Sequence, residues 1–159
     1  KPRSSSWQAK GTIMFKELLA RLLAPAPEPL TDEGARMALT ALLVRIARSD
    51  QNYSEVEKDR IDRIICSRFD QDTGGAIILR EQAEAMEAEA PDTVRFTRAI
   101  KEAVSLEDRI GVVEAMWQVV LADGHRDAGE DALMRLTANL LGVNDLESAQ
   151  ARKRMEAAI

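Results

Sequence analysis

A helix with almost no polar surface has one place in a folded chain, and this sequence contains such a helix. Between residues 32 and 48, Leu39, Leu42, Leu43 and Ile46 form one stripe of a 3.6-residue period, and Met37, Ala41 and Val44 form another. Apolar on both sides, it belongs in the centre of a bundle. A second stretch, 107–122, carries Ile110, Val113, Trp117, Val120 and Leu121 at helical spacing. No segment alternates apolar and polar residues over the length of a strand. The expectation is an all-α fold, a seven- to eight-helix bundle without a sheet, built around these two helices. Aromatic residues make up only 4% of the chain, which also favours helix over sheet.

Punctuation along the chain divides it. Residues 1–11, KPRSSSWQAKG, have no apolar period, so residues 1–13 read as an extension, disordered or added, outside the folded unit. Residues 14–30 read as an N-terminal helix with Phe15, Leu18, Leu19, Leu22 and Leu23 on its stripe. A stiff linker at Pro25, Pro27 and Pro29 follows. The helical domain then spans 31–159. Thr31 offers an N-cap with Asp32 and Glu33 in the first turn. A helix from near Ser54 to Gly74-Gly75 would bury Val56, Ile61, Ile64 and Ile65. Residues 76–90 read as a more exposed helix closed by Pro91. Val94, Phe96, Ala99 and Ile100 mark the next, and Ser105 with Asp108 opens the one after. Leu133, Leu136, Leu140 and Leu141 define a helix stopped at Gly142, and Asn144 with Glu147 caps a terminal one.

Charge and composition exclude several functions. The net charge of −5 argues against nucleic acid, whose phosphates require a basic face. No apolar run is long enough for stable membrane insertion, and no secretory hydrophobic segment opens the chain, so a cytoplasmic location is expected. One cysteine, Cys66, rules out an internal disulfide and a zinc site of several thiolates. The single histidine, His125, stands 59 positions from Cys66, leaving no nucleophile–base pair in sequence. No Gly-rich phosphate loop is present. The chain reads as no enzyme. Cys66 is simplest as a half-buried structural thiol, His125 as an exposed loop residue and Trp117 as core. The run Glu81, Glu84, Glu87 and Glu89 is simplest as a solvated helix face, with a docking surface for a protein partner as the alternative.

The strongest signal is an internal repeat. ALLVRIARSDQNYSEVEKDRIDRI, from Ala41, overlays AMWQVVLADGHRDAGEDALMRLTA, from Ala115. Asp50 falls on Asp123, Ser54 on Asp127 and Glu57 on Glu130, each 73 positions apart. Each copy is a buried helix, an acidic turn and a helix opened by a small polar cap. Capping alone accounts for Ser54, Asp127 and both glutamates. It does not account for the preceding Asp recurring at the same distance.

These hairpins resemble the tellurite-resistance protein B family, the TerB-like domains. The hallmark is two helical hairpins with an Ala-Asp-Gly-type turn, a small polar cap and a downstream Glu. Leu121-Ala122-Asp123-Gly124 through Asp127 to Glu130 follows this pattern. Ser49-Asp50-Gln51 departs from it with Gln51 in the place of Gly. Met14-Phe15-Lys16-Glu17-Leu18-Leu19 is similar to the start of small bacterial members. The resemblance implies about seven helices in two pseudo-twofold related hairpins. It also implies an acidic cluster holding a divalent cation, and a role in tellurite resistance or general stress response.

The residues for such a site are Asp50, Glu57, Asp123, Asp127 and Glu130. Oxygen donors suit hard cations, so Ca²⁺ or Mg²⁺ is favoured. Converging carboxylates repel, which calls for a cation or raised pKa values. An EF-hand is excluded: counting from Asp123, Ala128 takes the Gly position and Met134 the bidentate Glu position, and from Asp50 these are Glu55 and Ile61. The alternative is a metal-free helical adaptor for a protein partner. Oligomeric state is left open. Because residues 1–11 contribute no apolar period, deleting them is expected to leave the thermal midpoint nearly unchanged, and a drop of many degrees would contradict this.

Overall fold

A computed structural model describes residues 17–24, 32–50, 53–90, 92–122 and 128–158, with side chains at 50, 122 and 128–130 left undescribed. The described residues form eight helices and no strand: α1 (17–22), α2 (Asp32–Ala47), α3 (Glu55–Phe69), α4 (Thr73–Glu89), α5 (Thr93–Ala103), α6 (Leu106–Ala122), α7 (Ala128–Leu140) and α8 (Asp145–Ala158). A single 3-10 turn, Arg48–Asp50, extends α2. The all-α expectation holds. The segment expected to be an extension, the proline linker and the Thr31 cap lie outside the described residues.

The apolar helix takes the central position that its surface demands. α2 packs against α3, α4, α5, α6 and α7. It buries an unbroken run from Ala38 to Val44. Both α2 and its neighbour α4 bury alanines completely, Ala38 and Ala41 on one, Ala76 and Ala83 on the other. Such short side chains let two helix backbones come close. α6 is the second hub, lying against α2, α3, α7 and α8. Trp117 on α6 is buried, and its Nε1 donates to Ser148 Oγ on α8 at 3.3 Å. α1 contributes Leu19 and Leu22 to the same core.

Helix ends follow local chemistry, and here the structure corrects the sequence reading. α3 stops at Phe69, short of Gly74-Gly75, because Asp70 adopts a left-handed conformation at φ 53°. Asp72 then caps α4 by accepting from Gly75 N at 2.6 Å. The two glycines are therefore the first turn of a helix and not a break. Gly142 does end α7, at φ 78°, where Val143 N donates to Ala138 O at 2.9 Å. The reciprocal Asn144–Glu147 cap forms with bonds of 3.0 and 2.8 Å. Ser105 Oγ accepts from Asp108 N at 3.4 Å.

Three apolar assignments change. Val56 is 65% exposed, and its place in the buried stripe of α3 belongs to Glu57. Glu57, Ile61, Ile64 and Ile65 keep the i, i+4, i+7 spacing that Val56 breaks. On α7, Leu136 is exposed, while Met134, Thr137 and Ala138 face the core. Val94 on α5 is also exposed, with Phe96 and Ile100 buried instead.

α4 is less exposed than its charge suggests, since Met86 is fully buried beside the two alanines. Of its acidic run, Glu84 and Glu87 are half-buried and ion-paired. Glu87 accepts from Arg45 Nε at 3.0 Å, and Arg45 Nη2 also donates to the Glu87 and Ala90 carbonyls at 3.3 Å. One arginine of the central helix thus closes the C-terminal end of α4.

These placements separate two substitutions that the sequence treats alike. Ile61→Ala should cost about 2–5 kcal/mol, as a fully buried aliphatic truncation does. Val56→Ala should stay within about 0.5 kcal/mol. Denaturant unfolding of both variants measures the difference.

Candidate functional site

The first acidic turn is built from the end of α2. After Ala47 the chain tightens into the 3-10 turn, where Ser49 Oγ donates to Ile46 O at 2.7 Å. Ser54 then opens α3 with a reciprocal capping box. Glu57 N donates to Ser54 Oγ at 3.3 Å, and Ser54 N donates to Glu57 Oε1 at 3.1 Å. Ser54 Oγ also lies 3.2 Å from Glu57 Oε1. Glu57 is only 8% exposed, and among the described residues it is the one charged side chain buried to that degree. Its negative charge sits in the first turn of α3, where the helix dipole favours it.

Tyr53 locks this turn to α4. Its hydroxyl donates to Glu84 Oε2 at 2.6 Å. Arg80 holds the same carboxylate at 2.9 Å and Asp62 on α3 at 2.6 Å. Burial first, then the bond to Glu84, pushes the Tyr53 hydroxyl pKa well above its ordinary value. Burial works against the Arg80 charge, but Asp62 and Glu84 outweigh it and hold its pKa up. Arg48 and Lys58 flank the Tyr53 ring at 5.2 and 5.1 Å from its centroid. Arg48 reaches Glu87 at 3.6 Å. Sequence reasoning missed this network. Its only signal was the spacing of Arg80 and Glu84, four apart on one helix.

The second acidic turn can be approached only from its flanking helices. Asp123 and Asp127, like His125, lie outside the described residues. Asp50 and Glu130 are described by their helical backbones. The 3-10 turn that ends at Asp50 packs against α7, the helix that carries Glu130. At the other end of the central pair, Asp32, Ala35 and Leu39 of α2 line one cavity with Glu107, Gly111 and Val112 of α6. The N-terminal halves of α2 and α6 thus meet at this cavity.

The 73-residue repeat reappears in the burial pattern. Leu39 and Val112, Leu43 and Met116, Val44 and Trp117, and Ala47 and Val120 are buried pairs at that offset. So are Ile61 with Met134, Ile64 with Thr137, and Ile65 with Ala138. Leu136 faces solvent where Arg63 does in the first copy. These described positions share a burial pattern at the repeat offset, and in sequence Glu130 stands 73 positions after Glu57.

Residues 36–153, most of the chain, match the family described as tellurite resistance protein TerB. The chain belongs to the TerB family. No curated protein and no solved structure gives a match. The matched region runs from the first turns of α2 into α8 and so contains both hairpins. Among the described residues, no group of three or more His, Cys, Asp or Glu side chains is arranged to hold a metal. Four of the five residues considered as ligands have side chains outside that description.

Tyr53 is the chain's single tyrosine, so its ionisation can be followed without interference. In the folded protein, tyrosinate absorbance should appear at clearly higher pH than in denaturant, where the ordinary value of 10.0 applies. The raised folded pKa contributes stability that is complete below about pH 10 and is lost as pH rises towards the folded value. Tyr53→Phe should remove that alkaline loss and lower stability at neutral pH by about 1 kcal/mol. Coincident titration of folded and unfolded protein would contradict the assignment.

Proposed function

We propose that this TerB-family chain is not an enzyme and acts by holding a divalent cation between its two acidic turns. The ligands are drawn from Asp50, Glu57, Asp123, Asp127 and Glu130, and its setting is tellurite resistance or general stress response in a bacterial cytoplasm. The observation that supports this reading is the shared burial pattern of the two hairpins, in whose sequences Glu130 stands 73 positions after Glu57. The packing of the Asp50 turn against α7 supports it further.

The donor chemistry fits the ion. All five side chains offer carboxylate oxygen, which suits Ca²⁺ or Mg²⁺ better than a softer metal. Glu57 is buried, and its Oε1 accepts from the Ser54 backbone N–H, so a ligand carboxylate would be held in one orientation. Asp50 and Asp123 would supply charge from the turns, and Asp127 would combine capping with ligation as the counterpart of Ser54. A bound ion adds stability only where these groups are deprotonated.

Capping and ligation make different demands on the glutamates. Glu57→Gln and Glu130→Gln preserve a capping acceptor, so both variants should fold with stability close to that of the parent. Millimolar Ca²⁺ or Mg²⁺ should raise the melting temperature of the parent at neutral pH and less at acidic pH. Stabilisation at a hundredfold excess over Kd is about 2.7 kcal/mol. Either Gln variant should lose this rise. If the parent gains nothing from divalent cations, or the variants respond as the parent does, the metal-free adaptor becomes the correct reading.

A further inference from the structure

The cavity at the N-terminal ends of α2 and α6 lies at the opposite end of these helices from the acidic turns. It has a volume of about 310 Å³, within the range of small-molecule sites. At a liquid volume of about 30 Å³ per water, this corresponds to roughly ten non-hydrogen atoms. The floor is apolar, made by Leu39 and Leu43 of α2, Ile64 and Phe69 of α3, and Val112 of α6.

Charge of both signs surrounds that floor. Arg68 is engaged by Glu114 at 3.4 Å and by Gln118 at 3.2 Å. Arg36 is different. Its guanidinium lies 5.7 Å from the Phe69 ring centroid and meets no carboxylate among the described residues. It is half-buried in the cavity wall, where a planar donor that pairs with no carboxylate among the described residues is well placed for a ligand carboxylate. Asp32, one turn before Arg36 on α2, and Glu107 and Asp108 of α6 are exposed carboxylates in the same lining and present acceptors for a cationic group.

We propose that this cavity binds a small zwitterion with an apolar body, an α-amino acid of the size of leucine, methionine or phenylalanine. The side chain occupies the floor, the carboxylate meets Arg36, and the ammonium group faces the acidic rim. A fatty acid would leave the three rim carboxylates facing its own negative charge, and a simple amine would leave Arg36 without an anion. The zwitterion uses both.

Isothermal calorimetry and thermal shift on the full chain, with EDTA present, test the assignment. Leucine, methionine or phenylalanine at millimolar concentration should bind and raise the melting temperature. Isopentylamine and 4-methylpentanoate, each lacking one charge of leucine, should bind at least about tenfold more weakly. Arg36→Met should abolish the advantage of leucine over isopentylamine. A second variant probes the volume. A Cβ at Gly111 meets nothing within 4 Å except Arg68 Nη1 at 3.9 Å, so Gly111→Leu can fill the cavity and should abolish binding without lowering the midpoint of the free protein. The proposal is overturned if none of the three amino acids binds, if the amine or the acid binds as well as leucine, or if Arg36→Met leaves that preference intact. EDTA separates this outcome from that of the cation experiment.

Discussion

The burial of α2 is the constraint on which the rest of the structure depends. A helix that sequesters an unbroken run from Ala38 to Val44 must be covered on every side, and one neighbour cannot do this. Five helices supply the cover. At about 25 cal/mol per Å² of apolar surface, each large aliphatic side chain so enclosed contributes roughly 1.5–3 kcal/mol. The charged residues of α2 thereby lie towards its ends and on one seam, and buried Thr40 satisfies its hydroxyl by donating to Arg36 O. Arg45 on that seam is mostly buried, and a buried guanidinium is tolerable only when its donors are matched. It meets the Glu87 carboxylate, two carbonyls at the end of α4 and the face of Phe96. The central helix therefore dictates where α4 stops.

The same logic explains why the polar network around Tyr53 was invisible beforehand. Arg80, Asp62 and Glu84 lie on two helices whose sequences look like ordinary charged surface. Only when α3 and α4 pack side by side do Arg80 and Asp62 face each other at 2.6 Å. Tertiary packing then converts a solvated acidic face into a set of anchors. Glu81 and Glu89 on the same helix remain exposed, so the acidic run divides by helical face.

Features carried by one helix alone were legible. The central position of residues 32–48, the capping boxes at Ser54 and Asn144, and the stop at Gly142 all follow from spacing and local chemistry. Boundaries failed where a less familiar signal competed with a familiar one. Gly74-Gly75 looked like a break, but Asp70 in a left-handed conformation and Asp72 as a cap decide the α3–α4 junction. Leu136 looked like core because leucines recur near it, yet the position of Arg63 in the first hairpin already marked it as outward-facing. The proposed ligand residues stood out in sequence as a repeat of residue types. Glu57 proved to be buried, a fact that capping spacing does not convey.

The repeat also sets two arginines at one sequence offset in different surroundings. Arg36 and Arg109 are 73 positions apart, as are Phe69 and Gly142. In the second hairpin, Arg109 Nε donates to the Val104 carbonyl at 2.9 Å and Nη1 donates to that of Leu141. Its guanidinium also occupies the space beside Gly142, where an added Cβ would come within 2.7 Å of Nη1. In the first hairpin that glycine position is held by Phe69. Arg36 stacks on the Phe69 ring. One arginine is consumed in joining helix ends, while its counterpart is displaced to a cavity wall. Two arginines at the same repeat offset thus serve different ends, one bonding the carbonyls that end α5 and α7, the other stacking on Phe69 in a cavity wall.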